Sequence, residues 1–355
     1  MMGEKVLMKG NEAIAEAAIA AGCRHFFGYP ITPQTEVAAY MSKRMPKIGG
    51  VYLQGESEVA SINMVLGAAA SGVRAMTSTS SPGISLMSEG ISYIAGSDVP
   101  CLIVNVQRGG PGLGGIQPSQ SDYNQATKAS GHGDFHMIVF APSTVQETVD
   151  LISDAFDLGD KYRVPTMVLS DGMLGQMMEP VVLPEPKDPN NDCKEWAACG
   201  HKDKRKHNVI NSLNTDPPTL ERLNFERFER YAKIIENEQR AEEYLCDDAD
   251  IIIVAFGASS RVSRSAIDKA RKEGIKVGMV RPITLWPFPE KFIKKYADSA
   301  KRFLTVEMNM GQMVNDVKLA IECKKPVSFY GRTGGMIPTT KEVYEQIVKL
   351  NGGEQ

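Results

Sequence analysis

The sequence predicts an α/β fold made of two doubly wound domains. Short apolar segments alternate with amphipathic helical patterns through residues 1–186 and again through residues 248–355, and such alternation is typical of parallel sheets covered by helices. A chain of 355 residues is also long enough for two ordinary domains. Residues 187–247 between them are charged and polar and begin in a proline-rich break. We therefore predict that they form a connecting segment.

The first domain contains the clearer strand patterns, which are predicted at residues 24–29, 50–54, 74–79, 101–106, 137–140 and 165–170. Helices are predicted at residues 13–20, 34–44, 59–71 and 144–158, with one more after the turn at residues 81–83. Gly22 ends the first helix, since glycine accepts the left-handed conformation common at helix C-termini. The run at 101–106 is strongly apolar and therefore fits a central parallel strand.

The second domain shows strand patterns at residues 251–256, 274–280 and 302–307 and a helix at 261–273. The Gly-Ala-Ser-Ser turn at 257–260 resembles a phosphate-binding turn only weakly, so we assign it no ligand. Within the connecting segment, residues 221–243 predict a solvated helix with many charge pairs.

The overall charge argues against several classes of partner. The formal net charge is −3, whereas nucleic-acid-binding proteins normally carry a basic patch and a high pI. No apolar run approaches the roughly 18 residues of a membrane span, and the N-terminal residues lack the apolar stretch of a signal peptide. We therefore expect no nucleic-acid or membrane partner, and a cytoplasmic location.

The cysteines do not form a metal-binding pattern. The six cysteines are scattered, and none belongs to a Cys-x-x-Cys pair, so neither an iron–sulfur motif nor a structural zinc motif is visible. Cys193, Cys199, His201 and His207 lie close together in the sequence, but their spacing departs from the usual zinc-ligand patterns. We interpret this stretch as a solvated linker and predict no metal ligands.

Three polar islands follow predicted strands of the first domain, at residues 28–33, 55–60 and 106–112. In an open α/β sheet ligands bind at the carboxyl ends of the strands. The islands provide one hydroxyl (Thr32), one carboxylate (Glu58) and one guanidinium (Arg108). Such a set can hold an anionic substrate and move one proton, whereas redox chemistry must come from another molecule.

Each of these residues also has a simpler interpretation. Glu58 begins a buried small-residue helix, where the helix dipole favours an anion, but acids often start helices. Thr32 lies between Pro30 and Pro33, which stiffen the loop and can aim a hydroxyl, although a plain turn or a helix N-cap would look the same. Arg108 precedes a glycine run suited to a mobile lid and to carboxylate capture, or it is a surface arginine.

The glycine run also bears on one alternative function. Residues 109–115 read Gly-Gly-Pro-Gly-Leu-Gly-Gly, which is not the Gly-x-Gly-x-x-Gly turn that binds dinucleotides between a strand and a helix. A nucleotide-binding dehydrogenase is therefore disfavoured. A subunit that only packs against a catalytic partner stays open as an alternative, but such a subunit would not need all three islands.

Taken together, the islands resemble a known family. Tyr-Pro-Ile-Thr-Pro at 29–33, Glu-Ser-Glu at 56–58 and Gln-Arg-Gly-Gly-Pro at 107–111 are similar to the α subunit of the 2-oxoacid:ferredoxin oxidoreductases. The segments at 281–289 and 307–312 are similar to the family's second domain. The resemblance implies a thiamine-diphosphate pyrimidine-binding domain at 1–186 and a transketolase C-terminal-like domain at 248–355.

The resemblance also implies roles for the islands and for partner chains. Glu58 aligns with the catalytic glutamate that contacts the aminopyrimidine, Pro30 belongs to the same cofactor site, and Thr32 and Arg108 align with substrate-binding residues. The family's diphosphate and Mg²⁺ motif is missing here, as are cysteine ligands for iron–sulfur clusters. A β subunit would therefore carry the diphosphate and Mg²⁺, while the clusters would lie in partner chains, which include a γ subunit and a ferredoxin-like subunit.

The loop at residues 112–123 looks most like the branched-chain, or 2-oxoisovalerate, members of the family. The implied reaction is oxidative decarboxylation of a 2-oxo acid to acyl-CoA and CO₂, with coenzyme A as co-substrate and ferredoxin as electron acceptor. A 2-oxoglutarate:ferredoxin oxidoreductase subunit and a non-catalytic assembly subunit remain as alternatives.

Overall fold

The computed structural model describes residues 5–189 and 194–352. Its strands are β1 (Lys5–Lys9), β2 (His25–Gly28), β3 (Val51–Gln54), β4 (Ala75–Thr79), β5 (Leu102–Gln107), β6 (Ile138–Phe140), β7 (Thr166–Asp171), β8 (Met178–Val182), β9 (Ala241–Tyr244), β10 (Ile251–Val254), β11 (Val277–Pro282), β12 (Thr284–Trp286), β13 (Arg302–Glu307) and β14 (Val327–Gly331).

The helices are α1 (Gly10–Ala20), α2 (Thr35–Arg44), α3 (Glu58–Ala70), α4 (Pro82–Gly96), α5 (Tyr123–Thr127), α6 (Val145–Tyr162), α7 (Gly172–Gln176), α8 (Pro217–Asn237), α9 (Gly257–Lys272), α10 (Glu290–Lys294), α11 (Met313–Ala320) and α12 (Thr340–Asn351), with a 3₁₀ turn at Met45–Ile48.

The first sheet has the strand order β12-β6-β7-β5-β4-β2-β3. Strands β2 to β7 pair in parallel, as in the register Met76↔Leu102 and Leu102↔Thr166. Strands β5 and β7 are buried along their whole lengths, as expected for central strands with helices on both faces. The α/β prediction for this domain is confirmed, and the three islands follow β2, β3 and β5.

The second sheet has the order β14-β13-β10-β11-β9, in which β9 alone of these five strands is antiparallel. Strand β9 comes from within residues 187–247, which the sequence predicted to be connecting. Strand β9 has only four residues, two of which are glutamates, so its sequence carries no strand signal, and pairing along β11 is what orders it.

The two domains are joined by strand pairing and side-chain packing as well as by the connecting segment. Strand β12 lies in the second part of the chain, yet it pairs antiparallel with β6 of the first sheet. Trp286 at its end stacks on His136, with the ring centroids 4.6 Å apart. Helix α8 buries Tyr231 and Ile234 in the core of the first domain, so the helix that the sequence predicted to be solvated has one covered face.

Candidate active site

The loop after β2 is fixed through its backbone. Arg108 Nη1 donates to Thr32 O at 2.9 Å, while Asn11 Nδ2 and Gln176 Nε2 donate to Pro33 O at 2.8 and 3.3 Å. The Thr32 residue itself is exposed and lines a pocket of about 450 Å³ with Glu36, Ile116 and Gln176, among others. The loop is therefore held still while its hydroxyl stays accessible.

Arg108 is a buried cation for which the described part of the chain provides no anionic partner. The residue is only 7% exposed. Its Nη1 and Nη2 atoms donate to the backbone carbonyls of Thr32 and Leu113, and its Nε is buried with no hydrogen-bond partner. Within residues 5–189 and 194–352, no carboxylate oxygen lies within 4 Å of the guanidinium. Because burying an unpaired charge is costly, this position favours an anionic ligand.

The glycine run after Arg108 forms a closed loop. Gly109 N donates to Gln117 O and Gly115 N donates to Gly109 O, both at 2.9 Å. Gly114 has φ +58°, and a Cβ there would lie 1.9 Å from Gly109 O, so only glycine fits. The sequence predicted a mobile lid, and its mobility stays a prediction. In the structure the loop is hydrogen-bonded and Gly335 of the second domain covers it, close to Gln117.

Glu58 begins α3, as the sequence predicted. Ser57 caps the helix by accepting a hydrogen bond from Ala60 N at 3.2 Å. Glu58 is only 5% exposed, yet no side chain or backbone donor within the described residues hydrogen-bonds its carboxylate. Its negative charge is therefore held in a buried position at a helix N-terminus, where the dipole stabilises it.

The first turn of α4 connects Glu58 to Arg108. A Cβ at Gly83 would lie 2.0 Å from Thr79 Oγ1 and 2.9 Å from Glu58 Oε1, so glycine allows α4 to approach the carboxylate. Two residues earlier, the Ser81 hydroxyl accepts a hydrogen bond from Arg108 N at 3.0 Å. The hydroxyl of Thr79 is buried without a partner. The structure thus places all three predicted residues along one edge of the first sheet.

A buried polar group that the sequence did not single out supports this edge. Asp122 Oδ2 accepts hydrogen bonds from Ser81 Oγ at 2.6 Å and from Asn105 Nδ2 at 2.9 Å. Burial raises the pKa of Asp122, and these two hydrogen bonds oppose that rise. The sequence indicated a Ser-Pro-Gly turn after β4, which contains Ser81. It did not indicate the contact with Asp122, because the two residues are 41 positions apart.

The interdomain cleft, a cavity of about 650 Å³, opens beside Arg108. It is lined by residues of both domains, including Ser81, Arg108, Asp122, Asn309, Gln312 and Thr333. The cleft exists because the loop at 118–122 lies against the second domain. Gln120 is fully buried there and donates to Phe256 O at 2.7 Å, while its Oε1 accepts from Ser259 Oγ and Met308 N.

The turn at 257–260 belongs to this interface. The start of α9 faces Gln120 and Asp171, and a Cβ at Gly257 would lie 3.0 Å from Gln120 Nε2. The backbone of Ala258 also hydrogen-bonds the buried Asp171 carboxylate, although burial still raises the pKa of that group. The N-terminus of α9 is therefore covered by the first domain, in agreement with assigning it no ligand.

The motifs of the second domain are also structural. Glu307 is fully buried, and its carboxylate accepts hydrogen bonds from Asn309 Nδ2 and from the backbone of residues 312–314, which start α11. Arg281 is buried in bidentate contact with Glu147 of the first domain and also bonds Glu242. Both segments explain how the domains are joined.

The cysteine and histidine stretch offers little for a metal. Cys193 lies outside the described residues, and within them no group of three or more His, Cys, Asp or Glu side chains could hold a metal ion. The rings of His201 and His207 lie 4.0 Å apart. Among the described helices, none is long and apolar enough to cross a membrane.

Comparison with protein families decides the relationship. Residues 16–244 match the family described as pyruvate flavodoxin/ferredoxin oxidoreductase, thiamine diphosphate-binding, and residues 249–343 match pyruvate:ferredoxin oxidoreductase core domain II. The chain belongs to the 2-oxoacid:ferredoxin oxidoreductase family. This membership confirms the resemblance predicted from the three islands and makes the chain part of an oxidoreductase with a thiamine-diphosphate-binding domain.

Individual members of the 2-oxoacid:ferredoxin oxidoreductase family are similar over nearly the whole chain. A ketoisovalerate oxidoreductase subunit VorB from Methanothermobacter thermautotrophicus is 50% identical over 346 residues, which is 98% of each chain. A 2-oxoglutarate synthase subunit KorA from the same organism is 38% identical and covers 99% of this chain and 100% of that relative.

Solved structures agree with this fold. A 2-oxoglutarate:ferredoxin oxidoreductase from Magnetococcus marinus, with 2-oxoglutarate, coenzyme A and succinyl-CoA bound, has a TM-score of 0.87 and 30% identity. The match covers 98% of this chain and spans 65% of that chain's length. A split-gene transketolase, described as an inactive β4 tetramer, has a TM-score of 0.60 and 14% identity over 99% of this chain and 100% of its own, which supports the shared fold alone.

Proposed function

We propose that this chain is the catalytic α subunit of a branched-chain 2-oxoacid:ferredoxin oxidoreductase. Such a complex would decarboxylate 2-oxoisovalerate and similar acids oxidatively to acyl-CoA and CO₂ and reduce ferredoxin. The substrate class rests on the VorB relative, which at 50% is more similar than the KorA relative at 38%. The site itself rests on the buried Arg108 guanidinium, which has no carboxylate partner among the described residues.

Arg108 and Thr32 would bind the substrate carboxylate. The Arg108 side chain already points at the Thr32 loop, since Nη1 bonds Thr32 O, and its Nε is buried without an acceptor. A carboxylate placed here would neutralise the cation and give Nε a charge-assisted acceptor. The exposed Thr32 hydroxyl can donate to the same carboxylate. Together these contacts would fix the orientation of the 2-oxo group.

Glu58 would hold the aminopyrimidine ring of thiamine diphosphate, and Pro30, an exposed residue in the loop after β2, would belong to the same cofactor site. The residues present fit this ring, since Glu58 is a buried carboxylate without a donor from the described chain and the adjacent Thr79 hydroxyl is also unpartnered. The bound cofactor supplies the nucleophilic carbon and the electron sink for decarboxylation. The chain's part is to hold or move a proton at the Glu58 carboxylate, which is general acid–base work.

Partner chains would complete this site. Tyr29, Leu53 and Val59 surround the Glu58 edge and are exposed by 36%, 44% and 44%, which is typical of a surface that another protein covers. A β subunit seated there would bring the diphosphate and Mg²⁺ ligands that this chain lacks. The iron–sulfur clusters that pass electrons to ferredoxin would lie in the same set of partners, with coenzyme A as acyl acceptor.

Replacement of Arg108 in the assembled complex tests this proposal. Arg108→Ala removes a charge-assisted contact worth about 1.5–3 kcal/mol, so KM for 2-oxoisovalerate should rise about 10- to 100-fold. Arg108→Lys should give a smaller rise, because lysine keeps the charge without the planar fork. Assays with 2-oxoglutarate and pyruvate in parallel show which acid is preferred.

Arg24 provides the matched control. Its guanidinium also donates to backbone carbonyls, those of Ile19 and Cys23, but it precedes β2 at the opposite edge of the sheet. Arg24→Ala should leave KM unchanged even if stability falls. An unchanged KM in both Arg108 variants would contradict the proposed role, and a preference for 2-oxoglutarate would contradict the branched-chain assignment.

A further inference from the structure

The backbone of Arg108 lies just beyond the parallel ladder. Strands β5 and β7 pair up to Gln107↔Asp171, so the N–H of the next residue has no partner in the neighbouring strand. It donates instead to the Ser81 hydroxyl at 3.0 Å. The position of Arg108 therefore depends on a side chain from the turn between β4 and α4.

The Ser81 hydroxyl is itself oriented by a carboxylate. Its short contact, 2.6 Å, is with Asp122 Oδ2, whereas Arg108 O lies farther away at 3.3 Å. An ionised carboxylate only accepts hydrogen bonds, so the hydroxyl proton points towards Asp122. The lone pairs of Ser81 Oγ are then left to accept the Arg108 N–H.

Asn105 completes the arrangement on the other side. Its Nδ2 donates to the same Asp122 oxygen at 2.9 Å, and its Oδ1 accepts from Ser81 N at 3.1 Å. Asp122 N in turn donates to Gln107 Oε1 at 3.0 Å. Two residues of β5 that precede Arg108, Asn105 and Gln107, are thereby tied to Asp122.

We propose that Asp122 and Ser81 are positioning residues for substrate binding, which act by holding Arg108 so that its guanidinium faces the Thr32 loop. This inference deepens the proposed function and rests on it, since Arg108 must bind the substrate carboxylate. Neither residue needs to touch the substrate. The half-buried Ser81 hydroxyl and the buried Asp122 carboxylate form a hydrogen-bond chain in which the loss of one member disturbs the next.

The test uses KM and kcat for 2-oxoisovalerate in the complete complex. Asp122→Ala frees the Ser81 hydroxyl to turn away, and Ser81→Ala removes the acceptor of the Arg108 N–H. Each variant should raise KM about 10-fold and change kcat less. The reason is that it misplaces Arg108 and so weakens, indirectly, the hydrogen bond between the guanidinium and the substrate carboxylate. Asp122→Asn should stay close to wild type, because the amide oxygen can take the place of Oδ2.

Two further variants make the result specific. Ser85 lines the same cleft and accepts from Gln125 Nε2, without contact to Arg108, so Ser85→Ala should leave KM unchanged. The Ser81→Ala/Asp122→Ala double variant should raise KM no more than the larger single change, because both act through one hydrogen bond.

The outcomes separate this inference from the proposed function. If Arg108→Lys raises KM while Ser81→Ala and Asp122→Ala do not, the positioning role is wrong and the proposed function survives. If Arg108→Lys and Arg108→Ala both leave KM unchanged, both proposals are wrong. Should Asp122→Ala fail to assemble, the Ser81→Ala result decides alone.

Discussion

The carboxyl edges of the two parallel sheets differ in how far the chain satisfies its own polar groups. In the first domain, Glu58 and Arg108 are buried without an opposite charge, and Thr79 Oγ1 has no partner. In the second domain, Glu307 is equally buried but accepts four hydrogen bonds.

The difference follows from what covers each edge. The first domain covers the second edge, through Gln120 and the Asp171 carboxylate at the start of α9. The first edge borders the cavity at Thr32, which residues of the first domain line, as well as the cleft that it shares with the second domain. Because buried polar groups are normally paired, the unpaired groups at the first edge support the proposed binding site, whereas the paired groups at the second edge are consistent with an interface.

Glu58→Gln should show the largest effect. The amide keeps the shape of the side chain but cannot exchange a proton, so turnover of the complex should fall by about 10²- to 10⁴-fold. The free energy of unfolding should hardly change, because the Glu58 carboxylate makes no hydrogen bond within the described chain that could be lost. Steady-state ferredoxin reduction and thermal unfolding measure the two quantities.

Glu56→Gln is the control for that variant. Glu56 is exposed and lies two residues earlier, so its replacement should change neither turnover nor stability. Near-normal turnover in Glu58→Gln would contradict the proposed difference between the two edges, because the unpaired carboxylate of the first edge would then have no role in the reaction.

Gln120→Ala removes hydrogen-bond partners from buried polar groups at the carboxyl edge of the second sheet, so that this edge, like the first, has unsatisfied groups. It removes the side-chain partner of Met308 N and leaves Phe256 O with only the 3.4 Å hydrogen bond from Ser260 N, so the free energy of unfolding should fall by about 2–3 kcal/mol. Denaturant unfolding of the full chain measures this loss. The control is the half-buried Gln125, whose side chain bonds only Ser85 among the described residues. An equal loss in Gln125→Ala would argue against the interface role of Gln120.

Glu307→Gln repeats the chemical change made at Glu58, but at the satisfied edge. One acceptor oxygen becomes an NH₂ group facing backbone N–H donors, so we expect a loss of about 1–2 kcal/mol in the free energy of unfolding. The exposed Glu290 in α10 gives a control that should be neutral. If Glu307→Gln were as stable as wild type, its hydrogen bonds would not be what orders the start of α11.

Lys128→Ala should have the smallest effect. Lys128 bonds Asp316 across the domain boundary at 2.8 Å, but its side chain is 51% exposed. Exposed ion pairs contribute about 0–1 kcal/mol, and the buried Tyr123 hydroxyl still donates to Asp316. A loss well above 1 kcal/mol in denaturant unfolding would show that peripheral charges, rather than buried groups such as Gln120, hold the interface.

Local patterns predicted much of the fold and the composition of the site. The parallel strands β2 to β7 of the first sheet, the strands β10, β11 and β13 of the second and the start of α3 at Glu58 follow from apolar periodicity and capping residues, which act over a few positions. The parallel strand β14 was not predicted. The rule that ligands bind at the carboxyl edge placed Thr32, Glu58 and Arg108 on one side of one sheet. The structure adds direct contact between Arg108 and Thr32, which are 76 residues apart.

Features that depend on long-range pairing could not be predicted from local patterns. Strand β12 is three residues long and pairs with a strand of the other domain, so no local pattern indicates it. Gln120 and Asp122 lie in the loop at 112–123 that carries the subfamily resemblance, but that resemblance indicates no contact for either residue, because their partners are 136 and 41 residues away. The closed form of the glycine loop likewise depends on Gln117 and on Gly335.

Calorimetric titration with thiamine diphosphate and Mg²⁺ tests the central claim most directly, namely that this chain holds only the pyrimidine and substrate-carboxylate half of the active site. The full-length chain alone should bind the cofactor weakly, since within the described residues no metal-ligand group is available for the Mg²⁺–diphosphate end. The complex with its partner chains should bind it tightly, and Glu58→Gln should weaken that binding. Tight, Mg²⁺-dependent binding by the chain alone would contradict the split site.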